Sequence, residues 1–122
     1  MGVWAKIILS GSTDGEGIPV TGLTPSTGTV IHTAVTGAAD SIDEVYIRAW
    51  NSASGAPRDI SFAIGPTTAT GSRYTETLPS GPLIGLQLVI PGLVLRNAKV
   101  IKAYVTVVGA VNIFGYVNRY TT

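Results

Sequence analysis

The feature that most narrows the fold of this chain is an alternation of apolar and polar residues with a period of two. Val45, Ile47 and Ala49 alternate with Tyr46, Arg48 and Trp50, and Ile60, Phe62 and Ile64 alternate with Asp59, Ser61 and Ala63. Further on, Ile101, Ala103, Val105 and Val107 alternate with Lys102, Tyr104, Thr106 and Val108. Successive side chains of a strand point to opposite faces, so each run reads as a strand with two different sides. The turn formers Asn51 to Pro57 between the first two runs predict a hairpin. Gly109-Ala110, leading into Val111, Ile113, Gly115 and Val117, predicts a second and firmer one. After Leu86, Leu88 and Ile90, the pair Pro91-Gly92 predicts a strand end, because Pro presets φ and Gly accepts φ > 0.

The remaining segments carry weaker signals. Strands are expected at Val3 to Leu9 and at Thr29 to Thr36, separated by a Gly-rich stretch from Ser10 to Gly17. Pro66 to Pro79 is polar and bounded by prolines, so it reads as a long loop or extended arm, although a short strand around Arg73 to Thr77 fits the same residues. No helix and no internal repeat is visible. About seven or eight strands at roughly 8 to 12 residue spacing predict an all-β, single-domain antiparallel β-sandwich over residues 1–122, with a jelly roll among the forms open to it. Residues 1–28 and 66–79 are the candidate arms or loops.

Charge decides what such a sandwich can face. Only 12% of the 122 residues are charged, against about 25% in an ordinary soluble domain. With so few ions to guard its edges, the chain is expected to have at least one sheet edge covered by another subunit. The net charge is +1 and the eight basic residues are scattered, whereas nucleic-acid binding needs a cluster that neutralises several phosphates. Arg96, Lys99 and Lys102 come nearest and read as a solvated strand end or an interface contact. No apolar run approaches the roughly 18 to 20 residues of a membrane span, and the N-terminus lacks the pattern of a secretory signal. The absence of cysteine rules out disulfides and thiolate sites.

The catalytic inventory is thin. His32 is the only histidine; it is expected to share a strand face with Val30 and Ala34 and to be structural, since no second His or Cys accompanies it. Asp14 and Glu16 read as a solvated turn without calcium-loop spacing. Asp40, Asp43 and Glu44 read as a polar loop. No nucleophile elbow or phosphate-binding glycine pattern is present. No enzymatic activity, cofactor, metal or small-molecule substrate is expected.

The aromatic residues stand apart. Trp4, Trp50, Tyr104, Phe114, Tyr116 and Tyr120 mostly fall on the face opposite the aliphatic one in their strands. Trp and Tyr are enriched at interface hot spots, and a second apolar face on a strand implies burial on both sides. With Val3, these six are the candidate interface.

Ile31-His32-Thr33-Ala34, Asp43-Glu44-Val45-Tyr46-Ile47 with Ala49-Trp50-Asn51, Val89 to Asn97, and the closing Phe114-Gly115-Tyr116-Val117-Asn118-Arg119 together resemble a group of small tailed-bacteriophage virion proteins. The similarity covers most of the chain from residue 29 onward and consists of recurring strand and turn phrases, with no catalytic signature. The resemblance implies a β-sandwich structural protein of the particle, a head decoration or cement protein assembled in the host cytoplasm and bound to the capsid exterior. Its partners would then be the major capsid protein and copies of itself, as dimer or trimer, with no nucleic acid or membrane. The competing expectations are a tail, fibre, baseplate or adaptor subunit, and a carbohydrate- or receptor-binding module in which Trp4, Trp50 and the tyrosines stack on sugars.

Overall fold

The alternating runs form strands, but they pair differently from the hairpins that their spacing predicts. The computed structural model describes residues 2–122 except 38, 39, 67 and 82. Among these lie strands β1 (Val3–Ile8), β2 (Ile18–Pro19), β3 (Thr29–Thr33), β4 (Ile42–Asn51), β5 (Arg58–Ile64), β6 (Arg73–Leu78), β7 (Gln87–Leu95), β8 (Val100–Val105) and β9 (Val111–Thr121). A single 3-10 turn at Thr70–Ser72 precedes β6, and the described residues contain no α-helix.

Two antiparallel sheets pack face to face. One has the order β1-β9-β4-β7, with β2 also on β9; the other runs β3-β8-β5-β6. With the two-residue β2 set aside, the chain crosses from one sheet to the other at every connection except β5 to β6. That wiring, two interlocked Greek keys over eight strands, is a jelly roll.

Both predicted hairpins are therefore corrected. β4 pairs with β7 and β9, while β5 pairs with β6 and β8. Likewise β8 and β9 lie in opposite sheets. Alternation marks which side of a strand is buried, and that side is the same whether the next strand lies alongside or across the core, so the pattern is blind to the difference. β7 also continues through Pro91-Gly92, where the expected end does not occur. It is an edge strand, which tolerates a residue without an N–H. Register shifts opposite Val45–Tyr46 and Ile47–Arg48 absorb the irregularity, and Gly92 takes φ 106°.

The segments proposed as arms or loops are each held in a sheet over part of their length. β1 is in register with β9 along its whole length, from Val3 opposite Thr121 to Ile8 opposite Tyr116. Of the two readings of 66–79, the strand is realised: β6 pairs with β5 from Arg73 to Leu78.

The core lies between the sheets around Phe62, Ile47, Ile60, Ile101 and Ile113, all completely buried. Gly115 on β9 shows how closely the strands approach, since a Cβ there would run into the Tyr46 carbonyl and meet Leu9 Cδ1 at 3.2 Å. Among the described residues, the registers place the loops within 20–28, 52–57, 79–86 and 106–110 at one end of the sandwich and those within 34–41, 65–72 and 96–99 at the other.

Candidate functional site

Alternation along β1, β4 and β9 turns Val45, Ile47, Ala49, Ile113 and Val117 inward and puts Trp4, Tyr46, Trp50, Phe114, Tyr116 and Tyr120 on the outward face of the five-stranded sheet. Register then brings the rings together. Trp4 lies opposite Tyr120 with centroids 5.2 Å apart and planes tilted by 51°. Tyr46 stacks on its cross-strand partner Tyr116 at 4.9 Å and 15°. Lys6 caps this pair, its Nζ 4.8 Å above the Tyr116 ring, a cation–π contact. Phe114 is covered from one side by the loop before β2, where a Cβ on Gly17 would sit 2.6 Å from the ring.

Polar groups are threaded between the rings. Glu44 accepts a hydrogen bond from the Tyr46 hydroxyl at 2.8 Å and one from Asn118 Nδ2 at 3.3 Å. The hydrogen bond to Glu44, then burial and the carboxylate's charge, push the Tyr46 phenol above its ordinary value. Beside Trp4, an open hollow of about 460 Å³ is lined by Ala5, Lys6, Glu44 and Asn118. A second, of about 430 Å³, lies between Tyr46, Arg48, Leu88 and Phe114. Trp4 is 56% exposed, and Ile8, Leu88 and Val94 extend the apolar surface around it. This face can stack on flat groups, bury apolar side chains and hydrogen-bond at fixed points.

Five of the seven sequence-predicted residues, Trp4, Trp50, Phe114, Tyr116 and Tyr120, thus share one face. Val3 is exposed on the same edge strand but alternates away from Trp4. Tyr104 lies on β8, opposite Ser61 in the other sheet, and belongs to the far side of the molecule. Lys6, Tyr46 and Leu88 are members that the sequence reading missed. Tyr46 has the same parity as Trp50, and Lys6 the same as Trp4, so that signal was present.

A second cluster lies inside. A register shift between Val30 and His32 turns both Ile31 and His32 into the core and leaves Val30 exposed, which corrects the face shared with Val30. His32 Nε2 is 2.7 Å from Asp43 Oδ2, and Nδ1 accepts the Ser10 N–H at 3.0 Å. Nδ1 is an acceptor, so Nε2 carries the proton and donates to Asp43. Arg119 grips the same carboxylate from its own sheet, Nε to Oδ1 at 2.7 Å and Nη2 to Oδ2 at 2.8 Å, and the Val35 N–H adds a bond at 3.1 Å.

Asp43 is therefore completely buried in β4, a correction of the polar-loop expectation. Burial pushes its carboxyl up, but hydrogen bonds from Arg119 and His32 and the charge of Arg119 outweigh this and hold it below the ordinary value. With both ring nitrogens engaged and no exposed surface, His32 has no lone pair to offer a substrate; the cluster bolts β3 to β4 and β9. Asp14, by contrast, sits in an exposed turn with φ 53°. Among the described residues no group of three or more His, Cys, Asp or Glu is placed to hold a metal ion.

No protein-family model, no curated protein and no solved structure matches this chain. The likeness to tailed-phage virion proteins rests on the sequence phrases alone.

Proposed function

We propose that this chain is a structural subunit of a tailed-phage particle, a head decoration protein that lays the aromatic face of its five-stranded sheet on the major capsid shell. The observation that carries the proposal is that face: stacked and partly exposed rings on an outward surface, with the loop before β2 lying over Phe114 at one side of it. Exposed apolar patches rimmed by polar groups mark interaction sites, and Trp and Tyr dominate their energetics. The jelly roll is also an architecture of viral capsid domains, a fold-level analogy that supports the reading without carrying it. Strand β1 adds a docking edge: it borders the aromatic face, it is in unbroken register, and Lys6 is its only charge. Bridging neighbouring capsomers through several copies would turn modest contacts into a stiff shell.

The test is co-sedimentation with particles stripped of the protein. Trp4→Ala and Tyr116→Ala should each weaken shell binding by about 2 kcal/mol, roughly 30-fold in Kd, while Thr75→Ala on the other sheet leaves it unchanged. Binding that survives both aromatic changes would sink the proposal, and a copy number of a few to some dozens per particle would move the chain to the tail. A saccharide-binding reading is favoured by one observation, the hollow where Trp4 meets Lys6, Glu44 and Asn118. Binding of the isolated protein to host polysaccharide, lost on Trp4→Ala or Trp50→Ala, would establish it instead.

A further inference from the structure

The four sheet edges are guarded unequally. β7 carries Pro91 and two register shifts against β4, β3 has a register shift after Val30, and β6 presents Arg73 and Glu76. Prolines, bulges and charges are the devices that keep an edge strand from pairing. β1 has no proline, glycine or register shift, and its one charge, Lys6, reaches back over the Tyr116 ring with Nζ 4.8 Å from the centroid. It is also the only strand among the described residues without a buried residue, with Val3 66% and Trp4 56% exposed. As the outermost strand it turns the N–H and C=O of every second residue away from β9, where no described strand pairs with them. Such a row of backbone groups fits one class of occupant, another extended strand.

We infer that β1 pairs with β1 of a second copy, antiparallel about a two-fold axis perpendicular to the sheet, so that two five-stranded sheets join into one. The strand matches itself. Such an axis keeps the aromatic faces of both copies on the same side, and directly opposed residues of an antiparallel pair share a face, so the open registers oppose residues of like parity. Two of these pair most of the strand. One sets Lys6 against Lys6, which repels. The other puts Ala5, the smallest side chain of β1, on the axis opposite itself, Trp4 opposite Lys6 of the second copy and Val3 opposite Ile7 of the second copy. Each ammonium then meets an indole, a cation–π pair repeated by symmetry, and each exposed Val3 gains an apolar neighbour. A two-fold contact requires one patch to complement itself, and β1 does so in this register; pairing with a foreign strand requires no such match. The inference goes beyond the shell proposal, which leaves the partner of this edge open, and it does not depend on what the aromatic face binds.

Sedimentation equilibrium of the intact protein, from micromolar to millimolar, should give twice the mass of the 12.6 kDa chain. Ala5→Lys and Ala5→Glu, at an exposed position, should each raise the dissociation constant tenfold or more with unchanged circular dichroism. Mixing the two should restore the dimer that neither forms alone, because Ala5 meets its own copy. Leu83→Glu, at a position 97% exposed on the four-loop end of the sandwich, should leave the mass unaltered. The chain contains no cysteine, so Ala5→Cys should give a disulfide-linked dimer under mild oxidation where Leu83→Cys does not. Wild-type protein that stays monomeric, a dimer indifferent to both charges at Ala5, or cross-linking through Leu83→Cys in place of Ala5→Cys overturns the inference. A dimer that meets these expectations but leaves stripped particles unbound would support it and overturn the shell proposal alone.

Discussion

The two sheets are joined in two different ways, and the contrast separates what packing does from what polar chemistry does. Around Phe62, apolar side chains from both sheets fill the space; each touches several others, and no single atom must be in one place. Toward the charged end, Asp43 receives three partners through two oxygens, and each partner comes from a different segment. Apolar packing is graded by volume and tolerates replacement by similar shapes. The polar bolt is conditional. Its stabilisation exists only while every member is present, because a buried group stripped of its partner keeps the full cost of desolvation. The core supplies adhesion, and the bolt fixes how β3 sits over β4 and β9.

The hardest blow to the contrast comes from the packed region. Phe62→Ala should cost about 3–5 kcal/mol by lost burial and the cavity left behind, read as a fall in the urea midpoint at constant slope. Tyr74, stacked on Phe62 with ring centroids 6.4 Å apart, would lose its support at the same time. Next in size, Asp43→Ala should cost about 3 kcal/mol, the low end for a broken buried pair, because the Arg119 side chain is 29% exposed and can turn to water. The two losses differ in kind. Adding His32→Leu and Arg119→Met to Asp43→Ala should recover most of the loss, since a fully apolar replacement leaves no orphaned group. A triple variant no more stable than the single one would show that the bolt behaves like the rest of the core.

The division between legible and hidden follows the same line. Burial alternates along all ten residues of β4, the sequence displays that period from Val45 to Trp50, and the outward aromatic face follows from parity alone. A hairpin needs a partner, and parity names none, so the run from Asp59 to Ile64 pairs with β6 and β8 where its spacing suggests β4. Asp43 reads as loop in the sequence because the neighbouring acids Asp40 and Glu44 suggest solvent. Its partners lie 11 and 76 residues away, and no local signal links them. The inward turn of His32 depends on a bulge that the residues Thr29 to Thr33 do not announce. The loop end was equally hidden: each loop looks like ordinary turn chemistry, and only the crossovers bring the four together.

The smallest effect is also the most diagnostic. Asp43 is held below its ordinary carboxylate value when folded, so the folded state binds this proton less readily than the unfolded chain. Stability from the group is then fully present above the unfolded value, 3.8, and is lost as pH falls through the lower folded value. Urea midpoints measured from pH 7 downward should stay level through pH 5 and drop below about pH 4. Other carboxylates contribute to any acid transition, so the comparison is with Asp43→Asn, which should start lower and fall less steeply across the same window. The drop in wild type should remain smaller than the loss from Asp43→Ala, because a protonated carboxyl still offers oxygens to Arg119 and the Val35 N–H. Equal acid slopes in the two proteins would mean that the carboxylate's charge contributes nothing to the bolt, and that shape alone joins the sheets there.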